Sequence, residues 1–303
     1  MKNSILVAGS VNMDLVVDVE KLPAKGETVS AKTIRYIPGG KGANQAIAAS
    51  RLGANVALIA KIGDDHFGEQ LRSFLESEKL GLEGLAKSPL SSGLALITVG
   101  PDGENTIVVL PGSNAEVTEQ YIEEYAALIK ETRVVISQYE IPMLSVERLF
   151  AIARKFGKTT LLNPSPVKET PTELLKNVDY LVLNEVELSF LAGSAGVLED
   201  VGDIVQAAKA LQSKGPGVVV VTVGARGAIT VSGEKVITTE GIKVSAVDTT
   251  AAGDCFTGAL AAQLQNEVPL EEALAFANRA AALSVQRWGA SSSLPYLKEL
   301  ESI

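Results

Sequence analysis

Asp248-Thr249-Thr250-Ala251-Ala252-Gly253-Asp254 runs straight into an apolar stretch carrying Phe256, Ala259, Leu260 and Leu264. A helix beginning near Ala252 would leave the amides of residues 251–254 without intrahelical partners. Free amides at the positive end of a helix suit a developing phosphate charge. Gly253 has no Cβ and permits close approach. Asp254, in the first turn beside that phosphate, could accept a proton from an attacking hydroxyl. The plain alternative is a capped helix with a first-turn Asp.

Other polar positions cluster in the same way. Pro38-Gly39-Gly40-Lys41-Gly42-Ala43-Asn44-Gln45 opens a second helix, and its glycines let backbone amides approach a ligand. It is not a P-loop, because Gly rather than Ser or Thr follows the Lys and the GxxxxGK spacing is absent. Asn184-Glu185-Val186-Glu187 follows a strand, where ligands of open α/β sheets lie. An amide and a carboxylate there suit Mg²⁺ held through water beside phosphates, or simply a capping box. Thr222-Val223-Gly224-Ala225-Arg226-Gly227 reads equally as a nucleotide-contacting turn or a plain hairpin turn. In Gly9-Ser10-Val11-Asn12-Met13-Asp14, alternation points Asn12 and Asp14 into one cleft, as sugar hydroxyls would require, unless this is a solvated loop.

The composition narrows the chemistry. Among 303 residues there is one His, His66, and one Cys, Cys255. A Cys/His zinc cluster needs about four ligands, and an intramolecular disulfide is impossible. His66 reads as a loop or cap residue, while Cys255 and Trp288 read as packing. Lys plus Arg is 27 against 36 for Asp plus Glu, a formal charge of −9, which argues against general nucleic-acid binding. No stretch approaches the roughly 18 apolar residues of a membrane span, and no targeting signal is visible, so a cytoplasmic protein is expected.

The elements that must position these residues alternate. Short β-branched runs (Ile5–Ala8, Arg133–Ser137, Thr159–Leu162, Tyr180–Leu183, Val218–Val223) are separated by helical patterns at Ala43–Leu52, Phe67–Glu78, Glu119–Lys130, Ser145–Phe156, Val201–Gln212 and Leu270–Trp288. Such alternation predicts a mostly parallel α/β sheet with helices on both faces. Residues 15–38, and 93–110 with its turn Gly100-Pro101-Asp102-Gly103, break the rhythm. They read as a small inserted antiparallel β lid, leaving 1–14, 39–92 and 111–303 as the α/β part.

Taken together, from Gly9 to Ser293, the chain resembles the ribokinase family of carbohydrate kinases. The resemblance rests on Gly39-Gly40-Lys41-Gly42-Ala43-Asn44, on Asp248–Asp254 and on Asn184–Glu187. It implies ATP-dependent phosphorylation of D-ribose at its 5-hydroxyl, or of another sugar or a nucleoside. Asp254 would be the base, and the backbone of Ala251, Ala252 and Gly253 the anion hole. Asn12, Met13, Asp14, Gly40, Lys41, Gly42, Ala43, Asn44 and Glu140 would line the sugar. Asn184, Thr222, Val223, Gly224, Ala225, Arg226, Gly227, Gly253, Asp254 and Asn278 would surround ATP, with Asn278 standing where some members have His. Glu187 would organise Mg²⁺ through water. Asp248, Thr250, Ser284, Arg287, Gly289 and Ser293 would hold K⁺ or a similar monovalent cation. The lid would cover the sugar and pair two subunits into a homodimer.

Overall fold

Strands buried on both faces need continuous apolar side chains, and Ile5–Ala8 and Val218–Val221 have them. The computed structural model describes residues 4–102 and 104–300; the turn residue Gly103 and both chain ends lie outside the described residues. Its strands are β1 Ile5–Ala8, β2 Asn12–Val19, β3 Ala31–Gly39, β4 Val56–Gly63, β5 Gly81–Ser88, β6 Gly93–Val99, β7 Asn105–Leu110, β8 Val134–Ser137, β9 Thr159–Leu162, β10 Tyr180–Asn184, β11 Val218–Thr222, β12 Gly227–Ser232 and β13 Lys235–Glu240.

Nine strands form one sheet in the order β13-β12-β11-β10-β9-β8-β1-β4-β5. All its pairings are parallel except β11–β12 and β12–β13. Helices cover both faces. Lys41–Arg51, His66–Ser77, Ala252–Leu264 and Leu270–Ser284 pack with Ile5, Val7 and Leu58 into one apolar layer. Met143–Lys155, Glu185–Ala192 and Val201–Gln212 build the other around Leu6, Ala8 and Val135.

The remaining four strands make a separate sheet, β3-β2-β6-β7. Its outer pairings are antiparallel, and its central pairing, β2 with β6, is parallel. Both central strands start from one buried point, where Asn114 Nδ2 donates to Asn12 Oδ1 at 2.7 Å beside Gly93. Side by side from that origin, they must run the same way. The sheet also takes in Asn12, Met13, Asp14 and Gly39, which the sequence division leaves with the α/β part. Register explains it: Asn12 pairs with Gly39 and Asp14 with Ile37.

Two helices differ from expectation. The stretch over 119–130 breaks at Tyr125 into Glu119–Glu124 and Ala126–Glu131. The helix from Leu270 ends at Ser284 rather than reaching Trp288: the amides of Gln286 and Arg287 tighten onto the carbonyls of Leu283 and Ser284, and the Val285 carbonyl accepts from the amides of Val247 and Asp248. Trp288 is therefore not core; it is 65% exposed.

The glycine loop sits where it does because backbones touch. A Cβ on Gly42 would lie 2.5 Å from Ser10 N and 2.7 Å from Gly9 Cα, so only glycine lets the Lys41–Arg51 helix start against the end of β1. Gly40 precedes it at φ +92, a conformation that favours glycine. Gly42→Ala should lower stability by about 1–3 kcal/mol, as overpacking does. The check is a lower urea midpoint at unchanged m-value.

Candidate active site

The helix expected near Ala252 begins there, with Ala251 as its N-cap at φ 60. A non-glycine residue in the left-handed region is uncommon, and here it turns the chain sharply into the first helical turn. The amides of Gly253 and Asp254 have no intrahelical partner to reach, whereas Ala252 N donates to Thr249 O at 3.2 Å. Open space lies in front of Gly253.

Asp254 is 4% exposed. Its Oδ2 accepts from Asn44 Nδ2 at 3.1 Å and its Oδ1 from Gln45 Nε2 at 2.9 Å. Burial raises its pKa above the usual carboxylate value; Lys41 and these two amides pull it down, and Glu140 adds to the rise. Lys41 is affected in the complementary way. Burial opposes its charge, but Asp254, Glu140, Glu187 and Asp14 outweigh that and raise its pKa.

Glu140, in the loop after β8, ties three segments together. Its Oε2 accepts from Ser10 Oγ at 2.5 Å and from Lys41 N at 3.1 Å, with Asn12 Nδ2 at 3.5 Å. A carboxylate at the first amide of the Lys41–Arg51 helix is also stabilised by the positive end of the helix dipole. Asp14 lies close by on β2. Burial, then Glu140 and Asp254, push its pKa up to about 7 against the pull of Lys41. Met13 and Ala43 turn their side chains into the core, so the polar residues on either side form the lining.

Three clefts meet at Thr249. One of about 190 Å³ runs over Lys41, Asn184, Glu187, Ala251, Gly253 and Asp254. A second of about 400 Å³ is lined by Thr222, Gly224, Ala225, Gly227, Gly253 and Asn278, with apolar walls from Val244, Phe256 and Val285. The third, about 880 Å³, lies between the inner face of the four-stranded sheet (Asp14, Val16, Arg35, Ile37, Ile97) and residues 246–250 and 288–290, Trp288 among them.

Some expected residues have other partners. Asn184 and Glu187 form the reciprocal capping box, each accepting from the other's amide at 2.9 Å, while still lining the first cleft. Residues 224–226 are the turn between β11 and β12, and Gly224, Ala225 and Gly227 line the second cleft. Val223 is core. The Arg226 guanidinium donates to Glu185 Oε1 and Glu199 O, away from the cleft lining. Asn278 donates to Glu240 O at 2.8 Å.

Asp248 organises the loop before the helix. Its Oδ1 accepts from the amide and hydroxyl of Thr250, and its Oδ2 from Gly289 N at 2.9 Å. Burial opposes ionisation, but these bonds outweigh it and hold the carboxyl below the usual range. Ser284 and Ser293 are buried, with hydroxyls donating to Ala281 O and Ala290 O, and Arg287 pairs with Glu299. Cys255 is buried, its thiol pushed up to about 12 by burial. His66 opens the His66–Ser77 helix and bonds Gln70.

A family model for pfkB family carbohydrate kinases matches residues 2–297. The chain belongs to the pfkB family of carbohydrate kinases. It is 36% identical over 300 residues to the ribokinase of Haemophilus influenzae, covering 99% of this chain and 97% of that one. It is 33% identical to a deoxyribokinase of Salmonella typhi, covering 97% and 96%. Its fold is similar to that of an Arabidopsis thaliana ribokinase complexed with ribose and ATP, with TM-score 0.93, 33% identity, and coverage of 100% of this chain and 98% of that one.

In this pfkB-family site, sequence reasoning left out Asn114, Gln138 and Asn163, gave Ser10 no role, and placed Gln45 only within the glycine-rich ligand loop. The available signal was position: Gln138 and Asn163 are polar residues just past the carboxyl ends of β8 and β9, where open α/β sheets place ligand sites. Because the folded pKa of Asp14 is raised from 3.8 to about 7, its stabilising contribution is present at low pH and is lost as pH rises through that range. Asp14→Asn should therefore raise Tm relative to the unchanged protein more at pH 8 than at pH 4. Thermal unfolding at both pH values checks this.

Proposed function

We propose that this pfkB-family kinase transfers the γ-phosphoryl group of ATP to the 5-hydroxyl of D-ribose. The observation that carries the reading is Asp254: a buried carboxylate in the first turn of its helix, lining a polar cleft next to Gly253, which also lines the apolar-walled one. Asp254 takes the hydroxyl proton as the oxygen attacks phosphorus. The 251–254 backbone carries the charge growing on the phosphoryl oxygens. Asn12, Asp14, Gly40, Lys41, Asn44 and Glu140 hold the sugar, and the apolar-walled cleft by Gly224–Gly227 and Asn278 takes the nucleotide. The four-stranded sheet serves as a lid whose closure excludes water, which would otherwise accept the phosphoryl group.

Among the described residues no group of three or more His, Cys, Asp or Glu side chains is placed to hold a metal, so a divalent ion here would need further oxygens from phosphate and water. Glu187, with Asn184 beside it, offers the hard oxygen donors Mg²⁺ prefers. When bound with ATP, Mg²⁺ neutralises charge on the phosphates. Asp248, with the oxygens of Thr250, Ser284, Arg287, Gly289 and Ser293, would similarly suit K⁺ or a like monovalent cation, which would steady the loop entering the anion hole.

Ile34, Tyr36, Leu96, Ile107, Val108 and Leu110 leave large apolar area exposed on the lid strands, and a second copy of the chain would cover it as a homodimer. No helix among the described residues is long and apolar enough to cross a membrane, and a cytoplasmic site of action belongs to the same reading.

A second reading changes the acceptor to deoxyribose, the sugar named for the Salmonella typhi relative. Comparing kcat/KM over ribose, deoxyribose, other sugars and nucleosides decides between them, with ribose expected to lead. Asp254→Asn should lose at least about 100-fold in kcat while retaining ATP binding; near-normal turnover would remove Asp254 as the base. Activity should fall in buffer free of K⁺ and Na⁺, and sedimentation at several concentrations should show a dimer.

A further inference from the structure

The amide that bonds Asp254 is itself gripped from behind. Gln45, fully buried on the Lys41–Arg51 helix, directs its Nε2 hydrogens to Asp254 Oδ1 at 2.9 Å and Asn163 Oδ1 at 3.2 Å. Its Oε1 accepts from Gln138 Nε2 at 2.6 Å. Asn163 in turn donates Nδ2 to Val182 O at 3.0 Å. Because that backbone carbonyl can only accept, Asn163 must present its oxygen to Gln45, and Gln45 must present its NH₂ group to both acceptors. Gln138 completes the lock at the far end. It is buried, its Oε1 has no partner, and that oxygen fits only because residue 9 is glycine, whose Cβ would collide with it. An unpartnered buried acceptor is unfavourable; the orientation that leaves it so aims the Gln138 donor at Gln45.

We propose that Gln138 is a positioning residue for phosphoryl transfer: by donating to Gln45 it works with Asn163 to keep the NH₂ of Gln45, and not its oxygen, against Asp254, favouring the anion of that carboxylate and aiming it at the acceptor hydroxyl. The inference rests on Asp254 being the base. The charged groups facing Asp254 are Lys41, which favours its anion, and Glu140 and Asp14, which oppose it. Burial opposes the anion most strongly, and the amide contacts from Gln45 and Asn44, with Lys41, offset part of that opposition.

Two variants of similar side-chain length separate this role from packing. Gln138→Leu removes the donor, and Gln138→Glu replaces it with a carboxylate that draws the NH₂ of Gln45 towards itself. With ribose as acceptor, the acidic limb of the kcat/KM profile should move up by about one pH unit in the Leu variant. It should move further in the Glu variant. At neutral pH kcat should fall roughly tenfold or more, with ribose KM within about threefold. In a Gln45→Leu background, Gln138→Leu should add less than it costs alone.

A limb unmoved in both variants, a change in KM alone, or full additivity with Gln45→Leu would overturn the proposal. If the Glu variant does not fold, the Leu variant decides. Near-normal turnover of Asp254→Asn sinks the base reading itself; an inactive Asp254→Asn with an unmoved limb in the Gln138 variants sinks only the role of Gln138.

Discussion

A carboxylate taken out of water stays charged only if donors and a positive charge replace the lost hydration. Asp254 stands under that constraint, and much of the surrounding architecture serves it. Two amides on the Lys41–Arg51 helix bond its oxygens, and Lys41 supplies the opposite charge. Those side chains arrive together because the helix starts in backbone contact with β1, through Gly9 and Gly42. The Ala252–Leu264 helix brings Asp254 to meet them, with its own first-turn amides turned to the cleft. A single close approach of two chains thus sets the distance between the charged groups and the anion-binding helix end.

The same crowding has a cost on the other side of the site. Asp14, Glu140 and Glu187 also face Lys41, so four carboxylates share one ammonium, and Asp14 holds its proton up to about pH 7. A pocket with more acceptors than donors suits a polyhydroxy ligand, whose O–H groups bring the missing donors. Stability and binding therefore pull against each other at Asp14, the usual situation where polar groups are gathered for function before their partner arrives.

Much of this was legible in the sequence, and the remainder divides by range. Buried strands such as Val218–Thr222 and the helix start at Ala252 are local patterns, as are the glycines beside Lys41, so family, fold class and the polar residues they carry could be read directly. Strand β5, Gly81–Ser88, was not read, because its glycines and charges mimic a loop and only pairing with β4 makes it a strand. The last long helix stops short of the periodic pattern because its end tightens where Val285 meets residues 247 and 248 from far upstream, a contact no local pattern shows. The supporting amides are the extreme case. Gln138 meets Gln45 across 93 positions, and Gln45 meets Asn163 across 118. No periodicity or spacing connects such residues; only the order of strands in the sheet does.

Trp288 is the only tryptophan in the chain. It stands on the rim of the cleft between the four-stranded sheet and the loop around Asp248, largely open to solvent. Indole emission shifts to shorter wavelength as water leaves the ring. The ending of one helix a few residues early therefore gives the molecule a native fluorophore at the mouth of the cleft beside the four-stranded sheet, so that whatever fills or closes that space can be followed optically without a label.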